Sequence, residues 1–129
     1  LSGNPLAMSA GYGLLSDLNS DDKIYDRLAQ KTAYLKKGIH GVLQKHKIPH
    51  IINCVGSMLS VHFTETPVID FSTAAMANNN RFKEFFNGML KEGIYIPPSA
   101  FESWFITDAL SYQDLDFTIN AADLVANKI

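Results

Sequence analysis

The fold turns on the stretch His50-Ile-Ile-Asn-Cys-Val-Gly-Ser-Met-Leu-Ser-Val-His-Phe63. Two apolar runs, His50–Val55 and Met58–Phe63, flank Gly56-Ser57. Glycine in the first position of a two-residue loop suits a type II′ turn, which returns the chain antiparallel to itself. Alternation puts Leu59, Val61 and Phe63 on one face of the second strand and Ser60 and His62 on the other. His62 is therefore expected half-exposed on a sheet, not poised as a base.

Upstream of the hairpin the pattern is helical. Asn4-Pro5 opens a helix, asparagine as cap and proline at the first helical position. Leu6 to Leu15 follows, apolar on nearly every face, with Ala7, Ala10, Gly11 and Gly13 small enough for another backbone to approach. A helix of this kind is expected to be buried against something. Ser20 reads as the cap of a longer helix carrying Ile24, Leu28, Thr32, Leu35, Ile39 and Leu43 at steps of three or four, weakened by Gly38 and Gly41 and ended near Pro49.

Downstream, residues 64–77 read as a loop with a short turn. Asn78-Asn-Asn80 offers caps to a helix with the stripe Phe82, Phe85, Phe86, Met89 and Leu90, stopped by Gly93. Ile94-Tyr-Ile96 reads as a short strand that Pro97-Pro98 terminates, since neither proline can donate to a ladder. Trp104–Thr107 reads as the next strand. Ser111 with Asp114 three residues on resembles a capping box for a last helix with Leu115, Ile119, Ala122 and Val125 inward. The order α-α-β-β-α-β-β-α predicts an α+β domain: a mainly antiparallel sheet of about four short strands, covered by helices on one face. What covers the other face is left open.

The chain has 129 residues, 47% hydrophobic and 19% charged, which suits one globular domain over residues 1–129. A net charge of −2 gives no reason to expect nucleic acid or an anionic membrane as partner. The single cysteine, Cys54, excludes an internal disulfide, suits a reducing compartment and reads as a structural thiol. No stretch reads as a signal peptide or approaches the length of a membrane-spanning helix. Leu1-Ser-Gly-Asn-Pro5 reads as a loop into a helix, as expected of a piece of something longer.

The common chemical signatures are missing: no glycine-rich phosphate loop, no cysteine–histidine metal spacing, no Gly-x-Ser-x-Gly. His46 and His50 are four apart, but Pro49 between them argues against a helical metal pair, and no metal is expected. Two places remain. Ser2-Gly3-Asn4-Pro5 stands at a helix start, where free amides and the dipole suit a phosphate, although on the residues alone a plain helix cap is the preferred reading. Glu102 lies between Phe101 and Trp104 beside the double proline. It is either an exposed loop acid or a carboxylate desolvated by its aromatic neighbours.

Leu1-Ser-Gly-Asn-Pro-Leu-Ala-Met8, Gly56-Ser-Met58, Phe85-Phe86 with Met89-Leu90, and above all Gly93-Ile-Tyr-Ile-Pro-Pro-Ser-Ala-Phe-Glu102 together resemble the glutamate-1-semialdehyde 2,1-aminomutase family of class III aminotransferases. The resemblance runs from residue 1 to about residue 125. It implies the small C-terminal domain of a homodimeric, cytoplasmic pyridoxal-phosphate enzyme of the aspartate-aminotransferase fold. Such enzymes convert glutamate-1-semialdehyde to 5-aminolevulinate for tetrapyrrole synthesis, moving an amino group from C2 to C1. The lysine that holds the cofactor, the acid on its pyridine nitrogen and the residues that stack on its ring belong to the large domain in this family. The resemblance therefore implies that this chain is non-catalytic alone and binds no cofactor, with the large domain, a second subunit and a small-molecule substrate as its partners.

By the same resemblance Glu102 faces the substrate pocket, and Ser2 and Gly3 lie in a loop on the phosphate side. Trp104 and Leu110 depart from the family pattern, which commonly has a small residue and a histidine there. Two other readings stand beside this one. Another class III aminotransferase would need a positive residue in the Glu102 loop to bind an α-carboxylate. An independent binding module would close both sheet faces with its own residues.

Overall fold

The computed structural model describes residues 3–129. Eight elements follow in order: α1 (Pro5–Ser20), α2 (Ile24–Lys45), β1 (Ile51–Val55), β2 (Met58–His62), α3 (Phe71–Ala75), α4 (Asn79–Lys91), β3 (Trp104–Phe105) and α5 (Tyr112–Ala126). The strands form one antiparallel sheet in the order β1-β2-β3. The α+β class with helices on an antiparallel sheet is as the sequence predicts.

The hairpin closes with Val55 opposite Met58 and Ile51 opposite His62. Gly56 takes φ +56° while Ser57 stays out of the positive region, the combination a type II′ turn requires. Leu59, Val61 and Trp104 face inward onto α2, α4 and α5, and Ile39, Leu43, Phe85, Met89 and Leu115 complete the buried core. Cys54 is half-buried and packs against this core.

Four expectations are corrected. Ile94–Ile96 is not a strand, so the described residues hold three strands and not four. The Ile94 amide donates to the Met89 carbonyl at the end of α4 at 2.9 Å, and the segment joins neither outer edge of the sheet. β3 itself is shorter than expected and pairs only with Met58 and Leu59. Ser20 is the last residue of α1, not the cap of α2; its hydroxyl donates back to the Asp17 carbonyl, and α2 starts without a side-chain cap. His62 is buried at 7% exposure. The segment after β2 folds back over the outer sheet face: Asn53 Nδ2 donates to the Val68 carbonyl at 2.8 Å, and Asn78 N–H donates to that of Phe63 at 3.0 Å. Val68 and Ala77 are buried there, and this burial pushes the His62 imidazole down from its ordinary pKa. That segment contains α3, whose Asp70–Thr73 capping box was not anticipated.

The other helix ends follow their local chemistry. Asn78 caps α4 through the Arg81 amide, and Gly93 leaves it at φ +83°. Ser111 and Asp114 form the capping box of α5. Lys45 and His46 at the end of α2 both reach Asp123 on α5.

Glycine packing along α5 gives a prediction. A Cβ on Gly88 would stand 2.5 Å from Val125 Cγ1 and 2.9 Å from Cγ2. Val125 is buried and β-branched, so it cannot swing away. Overpacking of this kind costs about 1–3 kcal/mol and outweighs the roughly 1 kcal/mol that alanine gains over glycine in a helix. Gly88→Ala is therefore expected to lower the urea midpoint. Gly41→Ala meets nothing within 4 Å and is expected to raise it. Equal shifts in the same direction would show that α4 and α5 are not packed this closely.

Candidate functional site

Glu102 sits in the turn between Pro98 and β3. The turn is built locally: the Glu102 amide donates to the Ser99 carbonyl at 3.1 Å, and the Phe101 amide to Ser99 Oγ at 3.2 Å. Proline at 97 and 98 keeps the chain extended before it. The carboxylate opens onto a cleft of about 470 Å³ lined by Tyr95, Pro97, Pro98, Glu102, Ser103 and Phe105. No lysine or arginine lines this cleft. A second groove of about 250 Å³ shares Tyr95, Pro97 and Phe105 and continues along Ile94 and Leu110.

Glu102 is exposed, and its side chain makes no hydrogen bond among the described residues. The desolvation that its neighbours suggested is absent because both turn elsewhere. Trp104 points into the core at 5% exposure, and Phe101 stacks on Phe71 of α3 with ring centroids 5.4 Å apart. Trp104 thus adds bulk beneath the sheet and leaves the cleft around Glu102 open. Leu110 packs half-buried against the core on the groove side.

The segment beyond β3 is pinned to α2. Arg27 spans Asp21 and Asp108, and Lys31 Nζ donates to the Asp108 carbonyl at 2.6 Å and to its Oδ1 at 3.0 Å. Arg27, with Lys31 second, holds the Asp108 carboxyl down at about 2. The cleft itself is lined by the short turns on either side of Ser99 and by Phe105 of β3.

Ser2 lies outside the described residues. Gly3 is exposed at φ +80° and shapes the turn into α1. The first amides of α1 are already engaged. Asn4 Oδ1 accepts from Leu6 N–H at 3.0 Å and Ala7 N–H at 3.1 Å, the Met8 amide donates to the Asn4 carbonyl, and Pro5 has none to give. This end of α1 offers a phosphate no free helix donor, and Gly3 does not line the cleft around Glu102. Tyr95, Ser103 and Phe105 are the lining residues that sequence reading did not single out. Tyr95 carried a signal, alternating with Ile94 and Ile96.

Outside the cleft, the described residues hold no group of three or more histidine, cysteine, aspartate or glutamate side chains placed for a metal. No helix among them is long and apolar enough to cross a membrane.

No family model matches the chain. A glutamate-1-semialdehyde 2,1-aminomutase from Flavobacterium johnsoniae is 60% identical over 126 residues, covering 98% of this chain and 29% of that relative. An omega-transaminase from Sphaerobacter thermophilus superposes with a TM-score of 0.79 at 20% identity, over 97% of this chain and 28% of that one. A glutamate-1-semialdehyde-aminomutase variant from Pseudomonas aeruginosa, solved in complex with PMP, superposes with a TM-score of 0.73 at 16% identity, over 83% of this chain and 24% of that one. At those identities the two structures speak for the fold alone. The chain spans less than a third of the length of the relatives it matches, and across that span it is 57–60% identical to two glutamate-1-semialdehyde 2,1-aminomutases.

Proposed function

We propose that residues 1–129 are the small C-terminal domain of a pyridoxal-phosphate-dependent glutamate-1-semialdehyde 2,1-aminomutase, cytoplasmic and homodimeric, and that the domain alone does not turn over substrate. The observation that carries this reading is α1. None of its residues is buried, while Leu6, Met8, Tyr12, Leu14 and Leu15 are all more than half exposed. A helix this apolar needs a cover, and the relatives' additional length supplies the candidate: their large domain, with a second subunit. An independent module would have closed this surface itself.

Glu102 is the residue through which the domain acts on substrate. Its carboxylate opens to the cleft without a partner of its own, so it is free to hold a substrate amino group and to repel a second carboxylate at that end. The cofactor supplies the electron sink that lets an amino group change carbons. Its lysine comes from outside this chain on the proposed reading, as no lysine lines the cleft. Ser2 and Gly3 keep the phosphate-side role that the family resemblance implies, with the donors contributed by other parts of the enzyme.

The test uses two proteins: the 129-residue chain and the full-length protein that carries it. Each is given pyridoxal phosphate and glutamate-1-semialdehyde, and 5-aminolevulinate is measured. The full-length protein is expected to form product and the chain alone to form none. Product from the chain alone, or none from the full-length protein, overturns the assignment.

A further inference from the structure

We propose that His40 on α2 and His50 before β1 form a two-nitrogen site for a divalent transition-metal ion, Cu(II) first among them. The two side chains meet across the bend after α2, with His40 Nδ1 and His50 Nε2 2.8 Å apart and ring centroids 4.9 Å apart. His50 Nδ1 lies 2.7 Å from the Ile48 carbonyl, which can only accept, so the His50 proton sits on Nδ1 and its Nε2 carries a lone pair. A histidine whose other nitrogen donates to a backbone carbonyl is held in the orientation and tautomer of a metal ligand.

The 2.8 Å separation is that of the N–H···N hydrogen bond in the metal-free pair. Chelation needs the exposed His40 ring to turn so that both facing nitrogens aim at one ion. Imidazole sites bind Cu(II) most tightly among the first-row divalent ions, so Cu(II) is the ion expected first. Without metal, the proton on His40 Nδ1 bridges the two rings. On binding, that proton moves through solvent to His40 Nε2 and both facing nitrogens donate to the ion, so neutral rings remain neutral. His40 is exposed, which gives the ion access and leaves its remaining positions to water. Protonation of either ring competes with the ion, so binding weakens as pH falls.

Neither histidine belongs to the Glu102 cleft, so this proposal stands or falls apart from the assignment above. The test is titration of the chain with Cu(II) at neutral pH, followed by calorimetry and electron paramagnetic resonance. One ion per chain is expected, with hyperfine structure from two imidazole nitrogens and a rise in Tm. His40→Ala and His50→Ala are each expected to weaken binding by about 10²-fold through loss of the chelate, and to abolish the rise in Tm. His46→Ala, which removes a ring hydrogen-bonded to Asp123 and not to His40 or His50, is expected to leave binding unchanged. Equal affinity in native protein and the His40 and His50 variants, or a single-nitrogen spectrum, overturns the proposal. Circular dichroism of the variants separates loss of ligand from loss of fold.

Discussion

Phe85→Ala is expected to remove about 3–5 kcal/mol of stability, the range for emptying a buried aromatic site. Phe85 is 0% exposed, in the middle of the α4 stripe, and its ring meets that of Phe63 edge-on at 5.5 Å. Phe63 leaves β2 just before the segment that covers the outer sheet face, and Phe82 and Met89 flank Phe85 on the same helix side. The ring thus bridges α4 to the end of the hairpin, and its removal leaves a void that neighbours from three directions would have to fill. A domain of this size has about 5–15 kcal/mol in total, so the loss takes a large share of it and the variant is expected to unfold at a much lower urea concentration. Leu90, on the same helix but 47% exposed, supplies the comparison. Leu90→Ala is expected to cost less than about 1 kcal/mol in urea denaturation of the isolated chain. Comparable losses for the two would mean that Leu90 is covered as Phe85 is, and that α4 is packed differently.

The parts of the fold legible in advance are those whose cause is local. Gly56-Ser57 sets its own turn, Ser111 and Asp114 cap their own helix, and the α4 stripe needs only its period to be recognised. Expectations failed where the deciding atoms are distant in sequence. Ile94–Ile96 alternates like a strand, but the Ile94 amide is taken by the Met89 carbonyl at the end of α4 and the segment joins no sheet edge. His62 reads as half-exposed until residues 64–78 fold over it. Gly38 reads as a weak point in α2, yet its missing side chain is where Ile119 of α5 seats. α1 is legible as a helix, but its apolar surface has no cover among the described residues. The site divides in the same way. Glu102 was legible as an isolated acid in a turn, whereas the cleft beside it depends on Trp104 turning inward and Phe101 reaching Phe71.

Glu102→Gln in the full-length protein is expected to lower kcat/KM for glutamate-1-semialdehyde by about 10- to 150-fold. This is the kinetic equivalent of losing a hydrogen bond to a charged group, about 1.5–3 kcal/mol. The substitution preserves shape and removes only the charge. Glu102 is exposed with no side-chain hydrogen bond, so the variant is expected to unfold at the same urea concentration as the native protein; any kinetic loss then belongs to the substrate. The reverse charge tests selection directly. Glu102→Arg places in the cleft the positive residue that an α-carboxylate would seek, with no native cation there to compete. It is expected to lower aminomutase turnover further and to raise binding of an ordinary amino donor such as alanine. A Glu102→Gln enzyme with unchanged kcat/KM would return Glu102 to an ordinary loop acid. A Glu102→Arg enzyme with no gain for alanine would remove its part in selection while leaving the domain assignment intact, because that assignment rests on the family match and on the uncovered surface of α1.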